Sequence, residues 1–401
     1  MSDVYVHIGL PKTGTTSIQL ALKESAPALA AHGIELTGGR HRVQRLAVYD
    51  LLGRRIEGDE VHDVAGAWKR LVEQIDESAA PTAVISEELL SVSRPRQIRS
   101  LVKSLSAHRV FVVVGVRDFA RSIPSAWQQE VVKGHSFTWS EFAAAIRDPA
   151  QGPATAAVTF RLRFDLLRIL DTWERVVPRE RIRLVTVPPP GSPPELLLDR
   201  FGEAIGAPQG TLRGQSQTRN EALGAVEVEV LRRLNTVLRS ELSPAQHIAV
   251  VQGALRAGLA GRAGARRPTL PQDELSWVSE WTEALVAELT VRGYEVYGDL
   301  TDLEPAAARA GERPLDDVTE AELFEPTEEA LCALSLSYAS LWKRHQRLKG
   351  RQEADASVGT RLSSSARAAS FGVRMSALDQ ADRNRFLGWL SRLYLRATSR
   401  R

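Results

Sequence analysis

Two short periods organise the apolar positions of this chain. Val4 to Ile8 is a β-rich run that stops at Gly9, and helical apolar spacing begins at Ile18 to Leu22. Thr82 to Ser86 and Ile182 to Val187 are further short apolar runs. Val110 to Val116, five valines around Phe111 and Gly115, is the most strand-like stretch. Val84 and Ile85 are both apolar, as in a strand buried on both faces. Gly33 to Thr37 and Tyr294 to Asp299 read as short outer strands. Helical spacing is predicted over Val64–Ser78, Arg94–Ala107, Arg161–Val177, Glu195–Ile205, Glu221–Leu238 and Gln272–Val291. Trp127 lies in a further helix and reads as a core residue. Strands and helices alternate, as in open α/β sheets.

The remaining segments are predicted from composition. Residues 38–63 read as a loop with a helical piece from Val43 to Leu52, and leave His41 and Arg42 in solvent. Residues 148–158 and Ala254–Arg267 read as mobile, and 305–317 as a linker. Val318 to Leu348 is helical, with Cys332 expected as a small core residue. Residues 350–371 are rich in Ser, Ala and Arg and are expected to be disordered. In the tail, 372–401, Phe386, Leu390, Leu393 and Ala397 form an apolar stripe among arginines. Such a helix lies on an anionic membrane, docks on a partner or packs back on its own domain. The expected division is therefore a catalytic domain over 1–300, a helical extension over 301–349, a linker and a basic amphipathic helix.

Composition narrows the class. The chain has 401 residues, 43% hydrophobic and 25% charged, with a net charge of +3, too weak to argue for nucleic acid. One cysteine excludes an intrachain disulfide framework and suits a reducing compartment. The first strand begins within three residues of Met1 and no apolar run spans a bilayer, so a cytoplasmic protein is expected.

The candidate chemistry sits at strand ends. After the first strand, Pro11, Lys12 and Gly14 form a small-residue loop before a helix start. Loop N–H groups and the helix dipole converge there, Lys12 adds a charge, and Thr13, Thr15, Thr16 and Ser17 add hydroxyls. A plain βα turn with capping hydroxyls is the structural alternative. Gly9 and Gly14 have nucleotide-triphosphate-loop spacing, but Thr15 stands where that motif needs lysine. Glu87 and Glu88 follow the strand Thr82–Ser86, either as chemistry or as helix-start charges. Arg117 ends the valine-rich strand and Ser125 follows eight residues later, with Asp118 placed to orient Arg117 or Arg121.

Pro11 to Thr16 resembles the 5′-phosphosulfate loop of the sulfotransferases that use 3′-phosphoadenosine-5′-phosphosulfate (PAPS). Arg117 and Ser125 match that family's 3′-phosphate residues in type and spacing. Ser86-Glu87-Glu88 is similar to the Ser-Ser-Glu of bacterial members, and Thr172-Trp173-Glu174 also fits them. The resemblance covers about three-quarters of the chain. It implies a three-layer α/β/α fold with a central parallel sheet, related to nucleotide kinases, and sulfuryl transfer from PAPS to an acceptor hydroxyl without a metal. Lys12 would stabilise the leaving group, with Thr13, Gly14, Thr15, Thr16 and Ser17 at the 5′ end. Arg117 and Ser125 would hold the 3′-phosphate, joined in a loose match by Arg219 and Arg213 from the basic loop 213–220, which reads equally as an ordinary helix entry capped by Asn220. Glu88 would be the general base and Glu87 a supporting charge, with His135 the next place to look. An ATP- and Mg²⁺-dependent small-molecule kinase and an inactive phosphonucleotide-binding module are the other readings. The acceptor and the oligomeric state stay open.

Overall fold

The computed structural model describes residues 1–54, 64–214, 223–305 and 313–349. Six strands form one parallel sheet: β1 (Asp3–His7), β2 (Ile34–Leu36), β3 (Thr82–Ser86), β4 (Arg109–Val116), β5 (Ile182–Thr186) and β6 (Glu295–Tyr297). Their order is β2-β3-β1-β4-β5-β6, so β1 is central, with His7 opposite Ser86 on one side and Val113 on the other. Reversal of direction on either side of β1 makes its carboxyl end a switch point, where open α/β sheets bind ligands.

Helices cover both faces. On one lie α1 (Thr15–Glu24), α2 (Ala26–Ala31) and, later in the chain, the helix Leu196–Ala204; the opposite face carries α3 (His41–Leu52), α4 (Ala67–Glu77), α5 (Pro95–Ser104) and the helices Leu166–Glu174 and Leu275–Arg292. Alternation along β1 sorts the two cores: Tyr5 packs with Ile18, Leu22 and Phe201, while Val4 and Val6 pack with Leu71, Ile98 and Trp173. This is the expected three-layer α/β/α architecture. Both faces of each inner strand are buried, which is why their sequences are runs of valine and isoleucine.

A second core stands apart from the sheet. It joins α6 (Phe119–Val132), α7 (Trp139–Arg147) and α8 (Ala154–Phe164) to helices at Ala225–Glu241 and Arg256–Leu259, around Trp127, Trp139, Phe142, Phe160 and Leu231. We number the remaining helices α9 (Leu166–Glu174), α10 (Leu196–Ala204), α11 (Ala225–Glu241), α12 (Pro244–His247), α13 (Arg256–Leu259) and α14 (Leu275–Arg292). The chain divides into two compact units, Met1–Leu334 and Ser335–Arg401; the described part of the second, 335–349, is helical.

Several expectations change. The single helix read over Arg161–Val177 is two, because Asp165 breaks the ladder and caps α9 by accepting from the Arg168 N–H at 3.0 Å. Residues 154–158 belong to α8, whose Ala156 and Ala157 are buried. Part of Ala254–Arg267 is helical, since Leu255 and Leu259 anchor it in the second core. Cys332 is exposed: its helix buries Leu323 and Ala330, and Cys332 lies about 200° around from Ala330. His41 is no solvated loop residue but opens α3. The linker over 350–371 and the tail over 372–401 lie outside the described residues.

His7 sits at the sheet's centre, fully buried, with Nδ1 2.8 Å from Ser86 Oγ. Burial pushes its pKa from 6.5 down to about 3, so the folded ring stays neutral where the unfolded chain would take a proton. Its stabilising contribution is therefore complete above about 6.5 and is lost as pH falls toward about 3. Replacing it by glutamine should flatten that acid limb in urea titrations, by up to a few kcal/mol at ~1.4 kcal/mol per pKa unit. A His7→Gln profile parallel to wild type would remove His7 as the cause.

Candidate functional site

The loop after β1 continues to pair with β4. Ile8 N–H donates to Val113 O at 3.0 Å, Leu10 N–H to Gly115 O at 3.0 Å, and Gly115 N–H to Gly9 O at 2.8 Å. Gly115 permits the approach, because a Cβ there would stand 2.5 Å from Thr13 Oγ1. The loop then curls through three left-handed residues, Gly9, Lys12 and Gly14. Lys12, with φ 68°, is the single non-glycine residue of that kind among the described residues. Such a conformation costs about 1–2 kcal/mol and is held here by the bonds around it.

Gly14 is the N-cap of α1; no side chain caps this helix and its first turn carries no acidic residue. The first helical bond runs from Ile18 N–H to Gly14 O at 3.0 Å, so Thr15, Thr16 and Ser17 supply the amide donors of an open helix start. The hydroxyls divide. Thr13 is buried and donates to Leu10 O at 2.7 Å, and Thr15 leans on the same oxygen at 3.5 Å. Those of Thr16 and Ser17 are exposed. Thr13 and Thr15 thus shape the loop, while Thr16 and Ser17 face out from it.

Glu87 and Glu88 part ways, as strand alternation predicts. The backbone N–H of Glu87 donates to His7 O at 3.0 Å, which carries the β1–β3 pairing one residue further. Its buried carboxylate accepts from Leu89 N–H at 3.3 Å and lies 2.9 Å from His41 Nε2. His41 is placed by Gln44 on the same face of α3, which donates to Thr37 O at 2.8 Å and Val84 O at 3.0 Å and accepts from Ser86 N–H at 2.9 Å. Glu88 turns to the loop, its Cβ packed so near Gly9 that a side chain on Gly9 would approach it to 3.1 Å.

Burial raises the Glu88 pKa and Glu87 adds to this, while Arg163, Lys12 and His41 pull it down. For Lys12, burial lowers the pKa and Arg256 adds to it, followed by Arg117 and Lys133, against Glu88. Lys12 is reachable by solvent, yet the walls of the cleft surround it closely enough for desolvation to dominate. Both groups are pushed toward neutrality, so the attraction between them is weaker than the desolvation each suffers.

Arg117 stands at the end of β4, and its Nη1 donates to Lys12 O at 2.9 Å. The strand-end arginine and the loop are thus one hydrogen-bonded unit. Its Nε is buried without a partner among the described residues, and burial first, then Arg121, holds its pKa down at about 10, against Asp118. Asp118 caps α6, accepting from Arg121 N–H at 2.8 Å and pairing with the Arg121 guanidinium, so it orients Arg121 and not Arg117. Ser125 is half-buried about two turns along α6, and the helix continues through Pro124. Arg213 is engaged at the far end of α1, its N–H donating to Ser25 Oγ at 2.9 Å. A shallow cavity of about 760 Å³ lies there too, about 15 Å from the loop, one helix length away. Arg219 lies outside the described residues. His135 stacks on Phe137 and stands 3.5 Å from Glu130, within the second core's rim.

Four residues at the site escape the sequence reading: His41, Lys133, Arg163 and Arg256. The latter three come from the second core's helices or their ends. Lys133 is bonded to Glu130 at 2.6 Å, and burial lowers its pKa, with Arg163 adding to this against Glu130 and Glu88. No local motif marks these positions, which meet only through packing of α6, α8 and α13. Among the described residues, no three His, Cys, Asp or Glu side chains come together as metal ligands, and no helix is long and apolar enough to cross a membrane.

No family model matches this chain, and no curated protein does. Among solved structures, a sulfotransferase from Alicyclobacillus acidocaldarius aligns over 63% of this chain and 97% of its own, with 14% sequence identity and a TM-score of 0.35. What this site can do is read below from its own residues.

Gly115→Ala should displace the loop. The added Cβ, 2.5 Å from Thr13 Oγ1 and 3.0 Å from its Cβ, has no flexible neighbour to push aside, and such overpacking costs about 1–3 kcal/mol. Gly202→Ala, in α10 with 3.6 Å to its nearest neighbour, is the control and should be neutral or slightly stabilising. Urea unfolding that ranks the two alike would remove the close approach as the loop's anchor.

Proposed function

We propose that the chain is a transferase that moves a sulfuryl group from PAPS to an acceptor hydroxyl. The observation that carries this reading is the bond from Arg117 to Lys12 O, which joins a lysine-bearing anion loop to a strand-end arginine, with Glu88 across from them. One cosubstrate with an anionic group at each end uses both. The amides from Gly14 to Ser17 hold the 5′-phosphate, and Arg117 with Ser125 holds the 3′-phosphate through charge-assisted bonds. The acceptor oxygen attacks sulfur, the bond from sulfur to the bridging oxygen breaks, and 3′,5′-adenosine bisphosphate leaves. Lys12 neutralises charge on that oxygen as it develops. Glu88 takes the acceptor proton, and its raised pKa makes it a stronger base than an ordinary carboxylate. Thr15 in the kinase lysine position disfavours ATP-dependent phosphoryl transfer.

One observation supports a second choice of base. His41 meets buried Glu87 at 2.9 Å through Nε2, which orients the ring and leaves Nδ1 for a substrate proton.

Arg117→Ala should weaken 3′,5′-adenosine bisphosphate by at least tenfold and adenosine 5′-monophosphate far less, since the lost pair belongs to the 3′-phosphate. Equal losses in calorimetry would sink that assignment. ATP with magnesium stabilising the protein more than the bisphosphate in a melting assay would favour the kinase.

For the base, Glu88→Gln should lower turnover by ~10²-fold or more with the cosubstrate still bound. Wild-type turnover should rise with pH through an apparent pKa above the usual carboxylate range, because burial favours the protonated, inactive acid. If Glu88→Gln stays active and His41→Asn is dead, the His41–Glu87 pair is the base.

A further inference from the structure

The cleft around Glu88 holds more positive charge than the two ends of the cosubstrate use. Lys12 and the loop amides serve one end, and Arg117 the other. Arg163 remains, at the carboxyl end of α8, where α8 packs against α6 and against the turn that opens with Glu88. Its side chain is half-buried, and no ion pair or hydrogen bond engages its guanidinium among the described residues. Arg163 is the strongest positive influence on Glu88 and the strongest charge acting on Lys133. Arg256, likewise without an ion pair among the described residues, is the strongest charge acting on Lys12.

Holding Lys12, Lys133 and Arg163 close to Glu88 is self-repulsive, since among the described residues Lys133 alone of the three has an ion pair, to Glu130, and burial adds to the cost for Lys12 and Lys133. An anion placed among them relieves both effects. A neutral acceptor would strip water from Arg163 and give nothing back. We propose that the acceptor is itself an oxyanion, a hydroxyl compound bearing a carboxylate, phosphate or sulfate group, and that Arg163 receives that group while Glu88 faces the hydroxyl. This inference rests on the sulfotransferase reading for the identity of the cleft's other occupant. The guanidinium fork suits a planar carboxylate or a tetrahedral oxyanion through paired N–H donors.

The test uses matched acceptors on sugar, phenol and aliphatic-alcohol scaffolds, each as free carboxylate, methyl ester and phosphate monoester. Turnover with PAPS is measured on the full chain, and binding by calorimetry with and without saturating 3′,5′-adenosine bisphosphate. In any series that turns over, the charged members should exceed the ester at least tenfold in kcat/KM. Arg163→Gln should bring that ratio to about threefold or less, and Arg163→Lys should keep most of it. Carboxylate against phosphate then separates the two sources of the charge. Esters preferred or equal to anions, a ratio unmoved in Arg163→Gln, or no anion binding to the bisphosphate-saturated protein would each overturn the proposal. Failure of the bisphosphate itself to bind would instead overturn the sulfotransferase reading. Anion binding without it, weakened at least tenfold in Arg163→Gln, would still support the anion cleft.

Discussion

The site depends on how β1 and β4 stay together beyond the last residue of β1. Three backbone bonds, from Ile8, Leu10 and Gly115, extend the ladder into the loop, and they can form only because Gly115 has no side chain. Thr13 fills the room that glycine leaves and ties back to Leu10 O. With the loop so fixed, Lys12 is held in its left-handed conformation, its carbonyl is presented to Arg117, and α1 starts with its amides uncovered. If the loop binds an anion as proposed, a flexible loop would lose part of its affinity to ordering entropy. Here that ordering is done during folding.

The electrostatics of the cleft follow from its being crowded before anything binds. Glu88 and Lys12 attract each other, yet each is shifted toward its neutral form because burial dominates. In such a place an incoming anion does more than meet a positive charge. It favours the charged form of Lys12, while the proton affinity of Glu88 rises as negative charge accumulates nearby. On the proposed reading, binding at the loop and basicity at Glu88 are thus coupled through the charges that Lys12 and Glu88 exert on each other.

How much of this could be read from the sequence depends on the range of the interactions. The sheet was legible because two-sided burial writes itself as unbroken valine runs, and the loop was legible because its glycines and lysine are adjacent in the chain. The different directions of Glu87 and Glu88 followed from strand alternation. The pairing of His41 with Glu87 spans 46 residues and depends on Gln44 clamping α3 to the sheet, so no local pattern announces it. Asp118 was ambiguous between two arginines because capping geometry, not spacing, chooses Arg121. Cys332 misled for a related reason: an apolar helix was evident, but which of its faces finds the core is decided by tertiary packing.

The two cores also divide the labour. Groups that meet the cosubstrate's phosphates, in the reading given above, come mainly from the ends of β1 and β4, which the sheet's hydrogen-bonded ladder holds, with Ser125 of α6 joining them. Lys133, Arg163 and Arg256 come instead from α6, α8 and α13, which belong to the separate helical core. Helices meet through interdigitating side chains and shift against one another more readily than strands in a hydrogen-bonded ladder. On the proposed reading, a site split in this way would keep cosubstrate binding largely on the rigid element and leave acceptor binding to the adjustable one. Changes in the aromatic packing of Trp139, Phe142 and Phe160 would then move Arg163 relative to Glu88 without touching the phosphate loop, and acceptor selectivity could drift while cosubstrate binding stayed where the sheet put it.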